Sequence, residues 1–406
     1  MPVQNTDRNT QWLLNLPNET WTLTKNAKIT TSNEDAIFEG AFNSEIIIRG
    51  DIKVVGIGRA GIRFDGSTSS VEVGKDSFIN CKHAYYGISA DGAGSDVVNR
   101  GIMRGVEAGF HGAIWADLTN FGTIGGHIAV HFEGDGSQIH NNGLLDGSNY
   151  GISAGANGTY IFNDAGARIL GPLKAILLNG AGDAQILNRG TIDGGEVAIE
   201  LDLGNLHFVN KGKVLGDVVL AGGNNFIDTR KGEIKGTIEG GAGDETILVA
   251  SKVKFTDGND SDYDRVSSSV SYKIGLHVEA LDLKGRKNID ATGSVLDNDL
   301  TGNRGNNHLK GLNGEDNLYG AKGNDVMTGG LANDIFHFQQ GDGVDRISDF
   351  EDGGDLLEAP MVQSQLQFDN LDIVQVNGDV VIKFGGGDRL IIEDTLKSNI
   401  TYAYFA

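Results

Sequence analysis

At 406 residues the chain has room for two or three domains, and 55 acidic against 33 basic residues leave a formal charge of -22. That balance excludes nucleic acid, whose recognition rests on basic patches, and suits a divalent cation that relieves carboxylate repulsion. The 61 glycines beside 4 prolines describe many tight turns, few of them proline-built, and the single cysteine, Cys81, excludes an intramolecular disulfide.

The lead-in 1–45 holds short β-like runs, Trp21-Thr22-Leu23-Thr24 and Ala36-Ile37-Phe38. A stacked fold must cover its open end, so this segment is expected to be an N-terminal cap. Residues 1–20 show no basic stretch followed by an apolar run, and no stretch is apolar over the length a bilayer requires. Neither a Sec leader nor a membrane-spanning helix is expected.

Across 46–250 a repeat of 20–24 residues sets the pattern, marked by Asn-x-Gly at Asn99, Asn120, Asn141, Asn188 and Asn210. Asn163 keeps the place ahead of a small insertion. Two residues before each Asn stands an apolar residue (Val97, Leu118, Ile139, Ile161, Ile186, Phe208), and about four after it another (Met103, Ile124, Leu145, Ile192, Val214). A third precedes it by about eleven: Ile88, Phe110, Val130, Ile152, Ile176 and Ile199. Three short strands per repeat, each with inward apolar residues, predict a right-handed parallel β-helix. At ~3.3 Å per residue, about 22 residues make one circuit of a slender three-sided coil. Asn tolerates left-handed turns, and stacked amides bond from rung to rung, so the column reads as structural.

The residue after each third-column position should point outward. That gives Ser89, His111, His131, Ser153, Leu177 and Glu200, with Tyr85, Glu107, His127 and Asn149 a few residues earlier on successive repeats. Small residues (Gly87, Gly109, Ala129, Gly151) lie between. A shallow groove is expected, walled by Tyr85, His111, His127, His131 and Asn149 with Trp115 at its edge. Aromatic and imidazole groups over a small-residue floor suit stacking on sugar rings; ordinary solvent-facing strand residues are the alternative.

GGAGDETIL at 240–248 is nearly a glycine/aspartate nonapeptide, with Glu245 in the aspartate place; no matching neighbour turn completes a pair, so a calcium ion there is the lesser alternative. Residues 251–290 break the rhythm and read as a connector. Its cluster Asp257, Asp260, Asp262 and Asp264 reads as a solvated loop, with metal binding as the alternative.

From 291 to 338 glycine returns every nine residues, at Gly293, Gly302, Gly311, Gly320 and Gly329. GNRGNNHLK, GLNGEDNLY, GAKGNDVMT and GGLANDIFH carry Asn307, Asp316, Asp325 and Asp334 in the sixth place, and Leu309, Leu318, Met327 and Phe336 in the eighth. An inward apolar residue on a short strand follows a six-residue loop that glycine makes possible. These units resemble the RTX β-roll nonapeptide, which implies calcium held between stacked turns by six or more oxygens. The implied ligands are the residues in places one, three and six: Gly302, Arg304, Asn307; Gly311, Asn313, Asp316; Gly320, Lys322, Asp325; Gly329, Leu331, Asp334. Asn307 departs from the usual Asp, as does Asn298 one unit earlier.

Residues 339–406 contain GDGVDRISDFEDGGDLL, VVIKFGGGDRLIIED and the apolar end Thr401-Tyr402-Ala403-Tyr404-Phe405-Ala406. With DIFHF at 334–338 they resemble the C-terminal part of type I secretion substrates, including serralysin-like proteases. That resemblance implies a cap on the roll and an uncleaved export signal. A coil followed by an RTX roll is also similar in layout to alginate C5-epimerases and polysaccharide lyases, although their Asp-Pro-His-Glu stretch has no counterpart between Pro17 and Pro172.

The expected fold is all-β, a parallel β-helix followed by a calcium β-roll. The expected function is a secreted calcium-binding module of a Gram-negative bacterium, exported by type I machinery and acting at the cell surface or in its polysaccharide matrix. The alternatives are a lyase or epimerase on uronate polymers, and a self-assembling surface-layer protein.

Overall fold

Alternation of apolar and polar residues over runs of three to five residues makes strands that bury one face, and glycine-rich turns between them make the chain coil. The computed structural model describes residues 3–155, 157–258 and 262–405. It is 51% strand and 3% helix, a parallel β-solenoid as expected. Two units divide the chain, Met1–Gly241 and Ala242–Ala406.

In the first unit one sheet stacks Asp96–Asn99, Asp117–Asn120, Gln138–Asn141, Tyr160–Asn163, Ala184–Asn188 and Leu206–Asn210 in parallel. The other two strands of each rung share a second sheet, as with Phe78–Cys81 and Tyr86–Ala90, or run on as one bent strand, as in Thr123–Phe132 and Leu144–Ala154. Rungs already form in the lead-in, where Thr20–Leu23 pairs with Glu45–Ile48 and Trp12–Leu14 with Ile37–Glu39. All three predicted inward columns are at most 2% exposed, so the core is a continuous stack of aliphatic and Phe side chains. Each such side chain contributes about 1.5–3 kcal/mol by leaving water.

The Asn column forms an uninterrupted amide ladder. Nδ2 of Asn99, Asn120, Asn141, Asn163 and Asn188 donates to Oδ1 of the next Asn at 2.8–2.9 Å. Asn210 ends it on the Thr229 hydroxyl at 3.2 Å. None of these Asn residues adopts a left-handed backbone, so the ladder, rather than turn tolerance, accounts for the column. The paired glycine is set by close approach: a Cβ on Gly122 would lie 2.0 Å from the Gly101 carbonyl oxygen, and one on Gly143 would lie 2.2 Å from that of Gly122.

In the second unit one parallel sheet runs through Thr246–Val249, Arg265–Ser268, Ala280–Leu283, Asp299–Thr301, Asn317–Tyr319, Ile335–His337 and Leu356–Glu358. The facing sheet holds Tyr272–Lys273, Ala291–Thr292, His308–Asn313, Val326–Leu331 and Val344–Ile347. The stretch 251–290 therefore supplies strands to both. Eighth-place residues alternate between the sheets, Leu300, Leu318 and Phe336 on one and Leu309 and Met327 on the other, each at most 1% exposed. One rung is thus two nonapeptides. Val344–Ile347 pairs with Asp388–Ile392, after which Asp379–Gly385 and Asp372–Val376 follow antiparallel and end the parallel stack. Ile400 and Phe405 of the apolar end are buried.

Candidate metal centre and groove face

The sixth-place side chains of the nonapeptides turn inward at the start of each strand. Asp316, Asp325 and Asp334 are each 1% exposed. In each, Oδ1 accepts a backbone N–H from the preceding rung: Asn298 to Asp316 at 2.8 Å, Asn307 to Asp325 at 2.6 Å and Asp316 to Asp334 at 2.9 Å. The chain of bonds continues from Asp334 N–H to Asp355 Oδ1 at 2.9 Å and from Asp325 N–H to Asp345 Oδ1 at 3.0 Å. Among the described residues, the second oxygens of Asp316, Asp325 and Asp345 are buried without a hydrogen-bond partner. Burial pushes these carboxyls up, to about 7 for Asp316, about 6 for Asp325 and Asp334, and about 8 for Asp345.

Such orphaned buried oxygens fit a hard cation, whose charge and coordination would supply what burial removes. First-place glycines make the space. A Cβ on Gly311 would lie 2.1 Å from Asp316 Oδ2, one on Gly320 2.7 Å from Asp325 Oδ2, and one on Gly329 2.0 Å from Asp334 Oδ2. Positive φ falls elsewhere, at Gly314 and Gly323 in the fourth place and Leu312 and Ala321 in the second. The third-place side chains of Arg304, Asn313, Lys322 and Leu331 are exposed, so anything they give a cation is a backbone carbonyl. Asn307 donates its amide to the Ile289 carbonyl at 2.6 Å, and Gly302 stands 2.7 Å, by its missing Cβ, from Asn307 Oδ1. Neutral Asn at that end brings no charge.

Asp345 and Asp355 extend the same columns, yet the nonapeptide spacing does not find them. Their rungs step by 20 and 21 residues instead of 18, because the turns are longer there. The signal available was GDGVD at 341–345, with its glycine-spaced carboxylates.

On the first unit Ser89, His111, His131 and Ser153 stand in register on successive rungs. The expected outward exposure fails for His111, which is 3% exposed, for Ser89, at 0%, and for Ser153, at 8%. The Tyr86 ring stacks on His111 at 4.4 Å, and Ser89 Oγ donates to Asp91 Oδ1 at 2.8 Å. His111 Nδ1 lies 3.3 Å from Ser89 Oγ and 3.5 Å from Asp91 Oδ1, while Nε2 lies 3.5 Å from Glu133 Oε1. His131 is half-buried with its ring 5.5 Å from that of His111, and burial holds its pKa below the usual histidine value. Tyr85 and Trp115 are open to solvent at 57% and 63% exposure. His127 is exposed and its Nε2 lies 3.0 Å from Asn149 Nδ2. The expected wall thus divides into an exposed rim (Tyr85, Trp115, His127, with half-buried Asn149) and a covered polar cluster around His111.

Residues 292–327, 301–336 and 311–345 match the RTX calcium-binding nonapeptide repeat, a family pattern of 4 copies. None of the curated proteins compared matches the chain. Among solved structures, the extracellular lipase LipA from Serratia marcescens matches at 12% identity and a TM-score of 0.22, over 56% of this chain and 45% of the lipase chain. The chain therefore spans less than half the length of that structure. Residues 292–345 of the chain are thus similar to RTX calcium-binding nonapeptide repeats.

Proposed function

We propose that the chain is a secreted protein that works outside the cell, as a binding or structural module at the cell surface or in its polysaccharide matrix. The observation that carries this reading is the ladder of buried carboxylates in the second unit, in which Asp316, Asp325 and Asp345 each keep an oxygen with no hydrogen-bond partner among the described residues. Calcium, when bound, supplies the positive charge those carboxylates lack. Sites made of neutral carbonyls and a few carboxylates suit an environment where calcium is plentiful, which is outside the cell. Residues 339–406 serve in this reading as the export signal read by a type I channel. Fusing them to a slow-folding passenger tests that role. Secretion of the fusion is expected, and equal secretion of the chain without these residues would overturn it.

An acidic glycan is the partner favoured here. Lys211, Lys213 and Lys231 line one shallow recess with Glu233 and with Arg189, which pairs with Asp164 at 3.4 Å, and among the described residues none of the three lysines has a carboxylate within salt-bridge distance. Such a stripe is unusual on a chain of charge -22. Tyr85 and Trp115 offer exposed rings for stacking on sugars. Binding of uronate polymers with calcium present is the expected result, and binding unchanged in Lys211→Ala with Lys231→Ala and in Tyr85→Ala with Trp115→Ala would refute it.

A second reading, a lyase or epimerase acting on uronates, is favoured by the cluster of Tyr86, Asp91, His111, His131 and Glu133. Release of unsaturated or epimerised sugar, lost in His131→Ala, is its test.

A further inference from the structure

The turn ending in Glu245 lies outside the matched repeats, and its sequence neighbourhood offered no partner turn. In the fold it has one. The Glu245 N–H donates to Asp264 Oδ1 at 2.8 Å, the Tyr263 N–H donates to Asp244 Oδ1 at 2.9 Å, and the Gly243 N–H donates to an Asp262 carboxylate oxygen. These bonds fasten turn 243–245 to residues 262–264, just ahead of the paired strands Thr246–Val249 and Arg265–Ser268. The Asp264 N–H in turn donates to Glu279 Oε2 at 2.7 Å. Asp264 thus occupies the same relation to its neighbouring rungs as Asp316 and Asp334 do.

The expectation of a solvated loop fails at Asp264, which is 0% exposed. Asp260 lies outside the described residues. Asp264 Oδ2 has no hydrogen-bond partner among the described residues, like the second oxygens of Asp316, Asp325 and Asp345. The Asp264 carboxylate belongs to a cluster in which one carboxylate oxygen each of Glu245, Asp257 and Asp264 lie within 4.8 Å of one another. That is the span of two oxygens on opposite sides of a cation at about 2.3–2.6 Å from each. Burial, and then the neighbouring charges of Asp257, Glu245 and Glu279, push Asp264 up to about 9, with the Glu245 N–H opposing them.

We propose that Glu245, Asp257 and Asp264 form a calcium site outside the nonapeptide repeats, at the start of the second unit. The donor set is oxygen only, which selects calcium or magnesium over zinc and copper. Magnesium keeps several waters and demands tight octahedral geometry; two buried carboxylates beside backbone groups favour calcium. An ion there ties the loop carrying Asp257 to the first two turns of its unit, at a place where three carboxylates would otherwise repel.

The experiment is calcium stoichiometry on the full chain by calorimetry, with Asp264→Asn and Asp316→Asn compared with the unchanged protein. Asparagine keeps the volume and the acceptor for the Glu245 N–H. Asp264→Asn is expected to bind one calcium fewer while retaining the sites lost in Asp316→Asn, and unchanged stoichiometry would overturn the proposal. If Asp264→Asn fails to fold or loses more than one ion, Asp257→Asn decides. Loss of at least one ion supports the site and an unchanged count overturns it. Because Asp316→Asn reports on the repeats alone, failure of this site and failure of the repeat sites are told apart.

Discussion

Replacing Asn141 with Leu removes the middle of the amide ladder without removing volume. Asn141 accepts from Asn120 Nδ2 at 2.9 Å and from the Gly143 N–H at 3.2 Å, and donates to Asn163 Oδ1 at 2.9 Å and to the Arg168 carbonyl at 3.1 Å. The loss is not four full bonds. Asn120 Nδ2 keeps longer contacts to the Gly122 and Leu144 carbonyls at 3.3 Å each, so its donor stays occupied. Two groups are left without their partner, the buried Asn163 Oδ1 at about 1–3 kcal/mol and the half-buried Gly143 N–H at about 1 kcal/mol. The variant should therefore lose roughly 2–4 kcal/mol, offset only slightly by the added apolar contact. For a unit of this size that lowers Tm by roughly 5–15 °C. Cys81 gives an independent readout, because it is 1% exposed and burial pushes its thiol up to about 12, so it reacts only when its rung opens. Its reaction with a thiol reagent should accelerate roughly 30- to 1,000-fold. Asn142→Leu, one residue along and exposed, is the control and should change little. A Tm within 2 °C of the unchanged protein in Asn141→Leu, or an equal loss in Asn142→Leu, would refute the ladder's role.

Two further outcomes follow from the same unit. Because the folded Cys81 thiol titrates near 12 and its ordinary value is 9.0, stability should be unaffected by this group below pH 9 and should fall as pH rises from there towards 12, by about 1.4 kcal/mol per unit. Cys81→Ala should flatten that alkaline limb in urea titrations at stepped pH, and an unchanged slope would contradict the assignment. Gly143→Ala should destabilise by more than the usual surface substitution, since its Cβ would meet the Gly122 carbonyl at 2.2 Å. A melting temperature equal to that of the unchanged protein would show that the rungs separate more readily than the close stacking implies.

Much of this architecture is legible in the sequence because a solenoid repeats its physics. Three columns of apolar residues mark the three strands of a rung, and all lie in the core. The Asn column is legible too, although its reason, the ladder, needed the register. What stayed hidden had changing periods. Asp345 and Asp355 follow steps of 20 and 21 residues, and Asp264 and Glu279 stand 15 apart, so no fixed spacing connects them to the 18-residue rung. The burial of His111 was hidden for another reason. Alternation along a strand says which face a side chain takes, not whether a neighbour such as Tyr86 lies over it.

Calcium is expected to complete the second unit, while the first is expected to hold together on its own apolar core. A ligand bound only by the folded state stabilises it by about 2.7 kcal/mol per site at a hundredfold excess over Kd, so several stacked sites outweigh the entropy of a glycine-rich chain. Limited proteolysis of the full chain in millimolar calcium and in excess chelator, with Cys81 reactivity followed in the same samples, tests this most directly. Chelation should open 292–345 to cleavage while Cys81 stays protected, and Asp316→Ala with Asp325→Ala should be cleaved even in calcium. Equal cleavage of 292–345 in calcium and in chelator would contradict the account.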